Sequence, residues 1–313
     1  MSNNNQLVEV CIITYNQEQF INECLTSTLN QNTNRKVKIH VYDDASSDQT
    51  FERLKIVTTN SEKISLKINQ NSHNLGVSAN FYQAVKQTES EYIAILEGDD
   101  YWIDPCKLKL QIKAMEENPE ASFCFTDVAV EKNGNREHIH PNLDGKTRLF
   151  NAIDLADQTG SIAQTCTLLI RKKFLKDIPN WVLNSYTLDW CLQIFLANQG
   201  PALYIPQTTS VYRIHDQGVW SKLNPFEGWR KNHQFYKVII KTFKDIKYKR
   251  RIRIRIINQI TQALELAVVE YNSKEIQYWF KLKILHNNLK IDSQIVQSLR
   301  LLLLSFKKKY FRH

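Results

Sequence analysis

A chain of 313 residues, 42% of them hydrophobic, is long enough for a sizeable core and fits one large domain plus an appendage, or two domains. No stretch reaches the roughly 20 apolar residues of a membrane span, and the polar start MSNNNQ lacks the charged and apolar regions of a signal peptide, so a cytoplasmic protein is expected. The net charge of +9 conceals two regions: residues 225–313 carry 20 Lys and Arg against 6 Asp and Glu, whereas residues 1–224 carry 21 against 26.

In chain order, VEVCIITY (8–15) reads as a buried strand, and QEQFINECLTSTLNQ (17–31) as a helix with Phe20, Cys24, Leu25 and Leu29 near helical spacing. VKIHVYDD (37–44) is a second strand. Ser47 or Asp48 is then the expected N-cap of a helix with acid in its first turn. ISLKINQ (64–70) is a third strand, NLGVSANFYQAVKQT (74–88) a loop entering a helix, and EYIAILE (91–97) a fourth strand. Such strand–helix alternation predicts parallel strands joined by right-handed crossovers, a sheet whose ligands bind beyond the carboxyl ends of its strands. Further on, DPCKLKLQIKAMEENP (104–119) predicts a helix with Pro105 in its first turn, and Asn133 and Gly134 predict a hairpin. YTLDWCLQIFLANQG (186–200) reads as an amphipathic helix closed by Gly200, and residues 201–221 as extended chain. The six cysteines form no Cys-x-x-Cys pair and sit mostly among apolar neighbours; buried free thiols are expected, with no chemical role.

Four polar clusters fall at the ends of the four strands: Thr14, Tyr15 and Asn16; Asp43 and Asp44; Asn74 to Gly76; and Glu97 to Asp100. Asp and Gly often end strands without further purpose. Four clusters on one edge are better explained by a site, and repelling carboxylates there call for a divalent cation with oxygen ligands.

Six segments in order, VCIITYNQEQFINECLTSTLNQ, VYDDASSDQT, NLGVSANFYQAV, LEGDDYWIDPCKL, LDWCLQIFLA and VYRIHDQGVWS, resemble family 2 of the inverting, nucleotide-sugar-dependent glycosyltransferases, over about residues 7–221. The resemblance implies a Rossmann-like glycosyltransferase A (GT-A) fold with a mainly parallel central sheet. It implies a nucleotide-sugar-binding half at residues 1–110 and an acceptor-binding half at 111–222, followed by a basic, mainly helical extension at 223–313. It also implies roles. Asp44 would hydrogen-bond the nucleobase, with Thr14, Tyr15 and Asn16 lining the base pocket, since a carboxylate accepts from a ring N–H and an aromatic offers a stacking face. For Tyr15 the lesser alternative is a core tyrosine with its hydroxyl at the rim. Asn74, Gly76 and Asn80 would close over the nucleoside. Asp100 would ligate Mn2+ or Mg2+ at the donor diphosphate and Asp99 would contact the ribose or the metal's water shell, with either carboxylate open as the direct ligand and with His215 near the metal and phosphates. Asp189 would be the base that deprotonates the acceptor hydroxyl; read on structure alone it is a helix N-cap or a first-turn acid facing the helix dipole.

The extension places Ile252, Ile254 and Ile256 at period two within an Arg run and ends in SLRLLLLSFKKKYFRH. Apolar residues beside a basic cluster suit peripheral contact with an anionic membrane, and the alternative is a helical accessory bundle with a solvated basic face. No motif supports nucleic acid. The reading as a whole is a metal-dependent inverting glycosyltransferase that moves sugar from a nucleoside diphosphate sugar, UDP-linked by preference, to a hydroxyl of a glycan or lipid-linked glycan in bacterial cell-surface polysaccharide synthesis. It would work in the cytoplasm or on the inner face of the plasma membrane. The rival readings are a nucleotidyltransferase, disfavoured because no basic glycine-rich phosphate loop follows the first strand, and a non-catalytic nucleotide-sugar-binding module.

Overall fold

The computed structural model describes residues 7–141, 143–156, 161–186, 188–218, 224–270 and 272–286. It divides into two compact units, Met1–Asp216 and Gln217–His313. In the first unit the elements run β1 (Leu7–Thr14), α1 (Ile21–Leu29), β2 (Lys36–Asp43), α2 (Thr50–Lys55), β3 (Ile64–Gln70), α3 (Val77–Lys86), β4 (Tyr92–Glu97) and β5 (Tyr101–Trp102). There follow α4 (Lys107–Glu117), β6 (Phe123–Lys132), β7 (Asn135–His140), β8 (Arg148–Phe150), α5 (Ala152–Ala156), β9 (Leu169–Arg171), α6 (Asn180–Leu183), α7 (Leu188–Ala197) and β10 (Ala202–Ile214).

All ten strands form one sheet in the order β3-β2-β1-β4-β9-β6-β10-β5, with β7 on β6 and β8 on β10. The halves expected on either side of residue 110 therefore share a single sheet. β3, β2, β1 and β4 are parallel, and β9 runs antiparallel to both β4 and β6. The pattern follows from the residues. β1 is an almost unbroken apolar run because it lies between two strands and under helices on both faces, so seven of its eight residues are buried. At the sheet's end, β3 alternates with polar residues. α1 buries Ile21, Cys24, Leu25 and Thr28, a stripe at helical spacing. Each fully buried Ile or Leu in this core contributes about 2 kcal/mol.

Charged groups also lie inside this unit. Glu9 of β1 is fully buried; it faces His40 of β2 at 3.0 Å and accepts the amides of Glu89 and Ser90 at 2.6 and 2.7 Å, binding the α3–β4 connection to the sheet. Burial alone would raise its carboxyl, but the hydrogen bonds from His40, Ser90 and Glu89 outweigh it and hold the group down at about 2.

Some local expectations shift. Pro105 is not in the first turn of α4, which starts at Lys107 after Cys106 in the capping position; Pro105 belongs to the turn before it. Neither Ser47 nor Asp48 occupies the cap of α2. Gln49 does, while Asp48 reaches the Thr50 amide at 2.9 Å. Asn133 and Gly134 both adopt positive φ (52° and 78°), the mirror-image turn that two-residue hairpins favour, between β6 and β7. All six cysteines are free, and five are buried.

The second unit holds α8 (Pro225–Thr242), α9 (Ile246–Val269) and α10 (Ser273–His286). Asn224 caps α8 through the Glu227 amide with Pro225 next to it, and Asp245 caps α9 through the Lys247 and Tyr248 amides. The period-two isoleucines belong to α9: Ile252 and Ile256 are buried one turn apart, and Ile254 faces outward at 50% exposure. No described helix is long and apolar enough to cross a membrane. SLRLLLLSFKKKYFRH and Val219 to Ser221 lie outside the described residues.

Candidate active site

The parallel register brings the strand ends level. Thr14 is paired with Asp43, Asp43 with Gln70, and Ile13 with Glu97, so β1, β2, β3 and β4 deliver their polar tips to one edge. Glu97, Asp99 and Asp100 each place a carboxylate oxygen within 4.8 Å of the others.

Gly98 makes this arrangement possible. Its amide donates to Ile13 O at 2.9 Å, and a Cβ there would stand 2.5 Å from Gln17 Oε1 and 2.6 Å from Thr14 Oγ1. The tips of β1 and β4 approach so closely that only glycine fits. Thr14 itself is buried and donates to Gln17 at 2.8 Å, so it shapes the floor of the site.

Asp100 is fully buried. Its Oδ1 accepts the Arg213 amide at 2.9 Å, while its Oδ2 has no hydrogen bond of acceptable geometry among the described residues. Burial first, then the charge of Asp99, pushes the Asp100 carboxyl well above the usual range. Glu97 is pushed up in the same way, by burial and then by Asp99, Asp100 and Asp189. A buried carboxylate whose side-chain partner is only the weak donor Cys166, among acids that repel one another, is the environment a hard divalent cation reverses by supplying positive charge and accepting oxygen ligands. The cluster of Glu97, Asp99 and Asp100 therefore fits the Mn2+ or Mg2+ that the resemblance implies.

β10 braces this cluster. The Arg213 guanidinium donates to Asp99 O at 2.8 Å and to Glu131 at 3.0 Å, pairs with Glu23, and lies 4.2 Å from the Tyr101 ring centre and 5.2 Å from that of Phe20. His215 places Nε2 3.1 Å from Asp99 Oδ2 and packs its ring on Phe20 at 4.6 Å; its Nδ1 is buried without a partner among the described residues. Arg213 was not singled out in the sequence. The signal was there: Arg213 and His215 are two apart in an extended segment, hence on the same side of it.

Asp189, in the first turn of α7, lies close enough for its charge to raise both Glu97 and Tyr212. Its own carboxyl is raised by burial, against hydrogen bonds from Ser161 and the Trp190 amide. A carboxylate with elevated proton affinity near the acidic cluster is what a general base requires.

The nucleotide side differs in texture. Asp44 is buried and already accepts Asn71 Nδ2 and the Leu75 amide on Oδ1, at 2.8 and 2.9 Å, and the Gly76 amide on Oδ2 at 2.8 Å. It anchors the loop, and a carboxylate's roughly four acceptor positions leave about one for a base. Asn80 is buried and satisfied between Tyr42 O and Asn71, so it ties α3 to β2. Asn16 adopts a positive φ of 53° and accepts the Ser47 amide at 2.8 Å, joining the first two strand tips. Asn74 accepts the Gly76 amide at 3.0 Å, and Gly76 has φ 85° and ψ 157°, a conformation open almost only to glycine. Tyr15 is 45% exposed, so the core-tyrosine alternative is set aside and its ring face is available to a ligand.

Comparison with known proteins bears on this site. The sequence model of Glycosyl transferase family 2 matches residues 9–178. An uncharacterized protein of Mycobacterium tuberculosis is 32% identical over 214 residues, 68% of this chain; the chain spans 60% of the length of that relative. TarS of Staphylococcus aureus, a poly(ribitol-phosphate) beta-N-acetylglucosaminyltransferase, is 38% identical over 96 residues, 29% of this chain and 16% of TarS. The crystal structure of its residues 1–349 with UDP-GlcNAc matches 98% of this chain and 93% of that one, with a TM-score of 0.69 at 16% identity. A mannosyltransferase from Pyrobaculum calidifontis, solved with GDP-Man and Mn2+, covers 98% and 88% at a TM-score of 0.58 and 14% identity. The fold is that of the GT-A glycosyltransferases, and the match of sequence over more than half the chain makes this protein a member of glycosyltransferase family 2.

Proposed function

We propose that this glycosyltransferase transfers a sugar, with inversion, from a nucleoside diphosphate sugar to a hydroxyl of a cell-surface glycan or its lipid-linked precursor, in a metal-dependent reaction. The observation that carries the reading is the cluster of Glu97, Asp99 and Asp100 within 4.8 Å, with Asp100 Oδ2 buried and without a hydrogen bond of acceptable geometry among the described residues, and with the charge of Asp189 acting on Glu97. A bound Mn2+ or Mg2+ supplies positive charge to the departing diphosphate. Asp99 and Asp100 are its holders, and Arg213 and His215 fix the geometry of Asp99. Asp44, with Tyr15 beside it, receives the nucleobase over the loop that Gly76 permits. Asp189 takes the acceptor hydroxyl's proton as that oxygen attacks the anomeric carbon from the face opposite the nucleotide. The ligands named for the TarS and Pyrobaculum structures, UDP-GlcNAc and GDP-Man with Mn2+, support a nucleotide-sugar donor, and the activity named for TarS supports a surface-glycan acceptor. Peripheral contact of the basic C-terminal unit with an anionic membrane completes the reading.

Thermal shift with UDP-, GDP- and dTDP-sugars, with and without Mn2+, identifies the donor, since saturating a site at about 100 times Kd adds about 2.7 kcal/mol of stability. In calorimetry with that donor, Asp100→Asn is expected to lose the Mn2+ dependence of binding, and Asp44→Ala to weaken binding with or without metal. Unchanged affinity in both variants removes the site assignment.

A further inference from the structure

The helix Ile246–Val269 has two unlike sides. Ile252, Ile256 and Ile260 are fully buried along one of them. On the other, Ile246 is 82% and Ile254 50% exposed, and Arg250 lies midway between them at spacings of four, so the three share a face over about 12 Å of helix. Lys247 and Arg251 extend the face on one flank and Arg253 on the other, with Lys244 just before the helix. No Asp or Glu occurs from Ile246 to Leu264; the acids Glu265 and Glu270 are confined to the far end. The nearest carboxylate in sequence, Asp245, is engaged as the cap. Neither Lys247 nor Arg250 pairs with a carboxylate among the described residues.

Lys and Arg in water need no explanation, and a single exposed Ile is ordinary. Two exposed isoleucines bracketing an arginine on one face are a different matter. A soluble polyanion such as RNA would satisfy the basic residues and leave both isoleucines in water. A phospholipid surface of negative charge satisfies both at once, because the headgroups take the cations and the boundary with the acyl chains takes the aliphatic side chains. We propose that the face formed by Ile246, Lys247, Arg250 and Ile254 docks this helix, lying in the plane of the surface, on an anionic phospholipid membrane. The proposal rests on the membrane part of the function given above and names the surface responsible; it is independent of the donor chemistry.

The full-length protein is cosedimented with phosphatidylcholine vesicles that contain or lack phosphatidylglycerol. The wild type is expected to bind the phosphatidylglycerol vesicles and to be released by salt, which screens exposed charges. The double variant Lys247→Gln/Arg250→Gln is expected to bind about 30-fold more weakly, the equivalent of about 1 kcal/mol for each basic residue at the surface. Ile254→Ser is expected to lower binding about tenfold while keeping the salt dependence, because it removes an apolar anchor and no charge. Helical circular dichroism and sugar transfer to a soluble acceptor should be unchanged in both variants, as these side chains project away from the helical core. Variants that bind vesicles like the wild type overturn the assignment of this face and leave membrane contact to other residues. A wild type that ignores the vesicles but binds single-stranded RNA or heparin overturns the lipid partner, and one that binds none of them overturns membrane contact altogether. Because transfer is assayed in the same preparations, none of these results is confused with failure of the enzymatic reading.

Discussion

Asp189 is the residue on which chemistry and structure can be told apart. Asp189→Asn keeps the size and most of the hydrogen bonding of the side chain but removes the proton acceptor. Donor affinity is expected to stay near wild type while turnover falls about 100-fold to 10,000-fold, the range for loss of general base catalysis. The loss should appear equally in kcat and kcat/KM, since the missing interaction belongs to the transition state. If the acid served only to favour the start of α7, the same substitution would cost a few tenths of a kcal/mol and activity would survive. The sequence disclosed this residue only in company: a first-turn acid is common, and the six ordered segments lifted it out. Gly98 shows the converse. Its place between Glu97 and Asp99 marked a motif, but its physical reason, a Cβ that would meet Thr14 and Gln17, depends on a strand far away in the chain. Asp44 and Asn80 were marked by the resemblance as candidates for the nucleotide side, but their anchoring could not be read, because the amides and carbonyls they hold belong to segments whose paths only the fold reveals.

At the scale of elements, the four parallel strands and their common edge could be read from apolar runs ending in polar tips. The antiparallel insertion of β9 between β4 and β6 could not: three residues carry too little pattern, and their direction is set by the neighbours they join. The most consequential element was β10. Its register with β6 shifts around Pro206, which has no N–H for the ladder, and beyond that irregularity the strand runs on to pair with β5 and to carry Arg213 to the acidic cluster. Arg213 acts through Asp99 and Asp100 and is a positioning residue. Arg213→Lys keeps the charge but loses the planar fork that simultaneously meets Asp99 O, Glu131 and Glu23 and stacks on Tyr101. Mn2+-dependent donor binding is expected to weaken about 10-fold to 100-fold, as for other supports of metal ligands, while donor binding without metal changes little. Calorimetry in the presence and absence of Mn2+ reads the difference, and equal weakening in both would assign Arg213 to general stability.

The whole molecule joins two units built on different electrostatics, and acid should separate them. In the helical unit, His233 of α8 is 2% exposed, with neither ring nitrogen hydrogen-bonded among the described residues, and its ring centre lies 5.1 Å from that of His286 in α10. Burial, then the charges of His286 and Lys237, pushes His233 down to about 4, and His286 is lowered by burial and by Lys237 and Arg253. Every group acting on this pair disfavours a proton. An unfolded histidine binds its proton near pH 6.5, so between there and about 4 the unfolded unit holds protons that the folded one refuses. Stability is therefore full above about pH 6.5 and falls as pH drops through that window, by up to about 1.4 kcal/mol per pH unit for His233 alone. The sheet unit behaves differently over the same range. Its buried Glu9 is held at about 2 against an ordinary value of 4.5, so the stability it contributes is kept above about pH 4.5 and is lost only as pH falls from there toward 2. Melts followed by far-ultraviolet circular dichroism at about pH 7.5 and about pH 5 should show the helical transition moving down in temperature while the sheet transition does not follow it, because the raised carboxyls of Glu97, Asp100 and Asp189 take up protons in the folded unit and favour it as pH falls. His233→Phe, which cannot take a proton, should hold the helical transition in place over this interval. A helical transition that is insensitive to pH in the wild type, or equally sensitive in His233→Phe, would show that the buried histidine pair is not what makes this unit acid-labile.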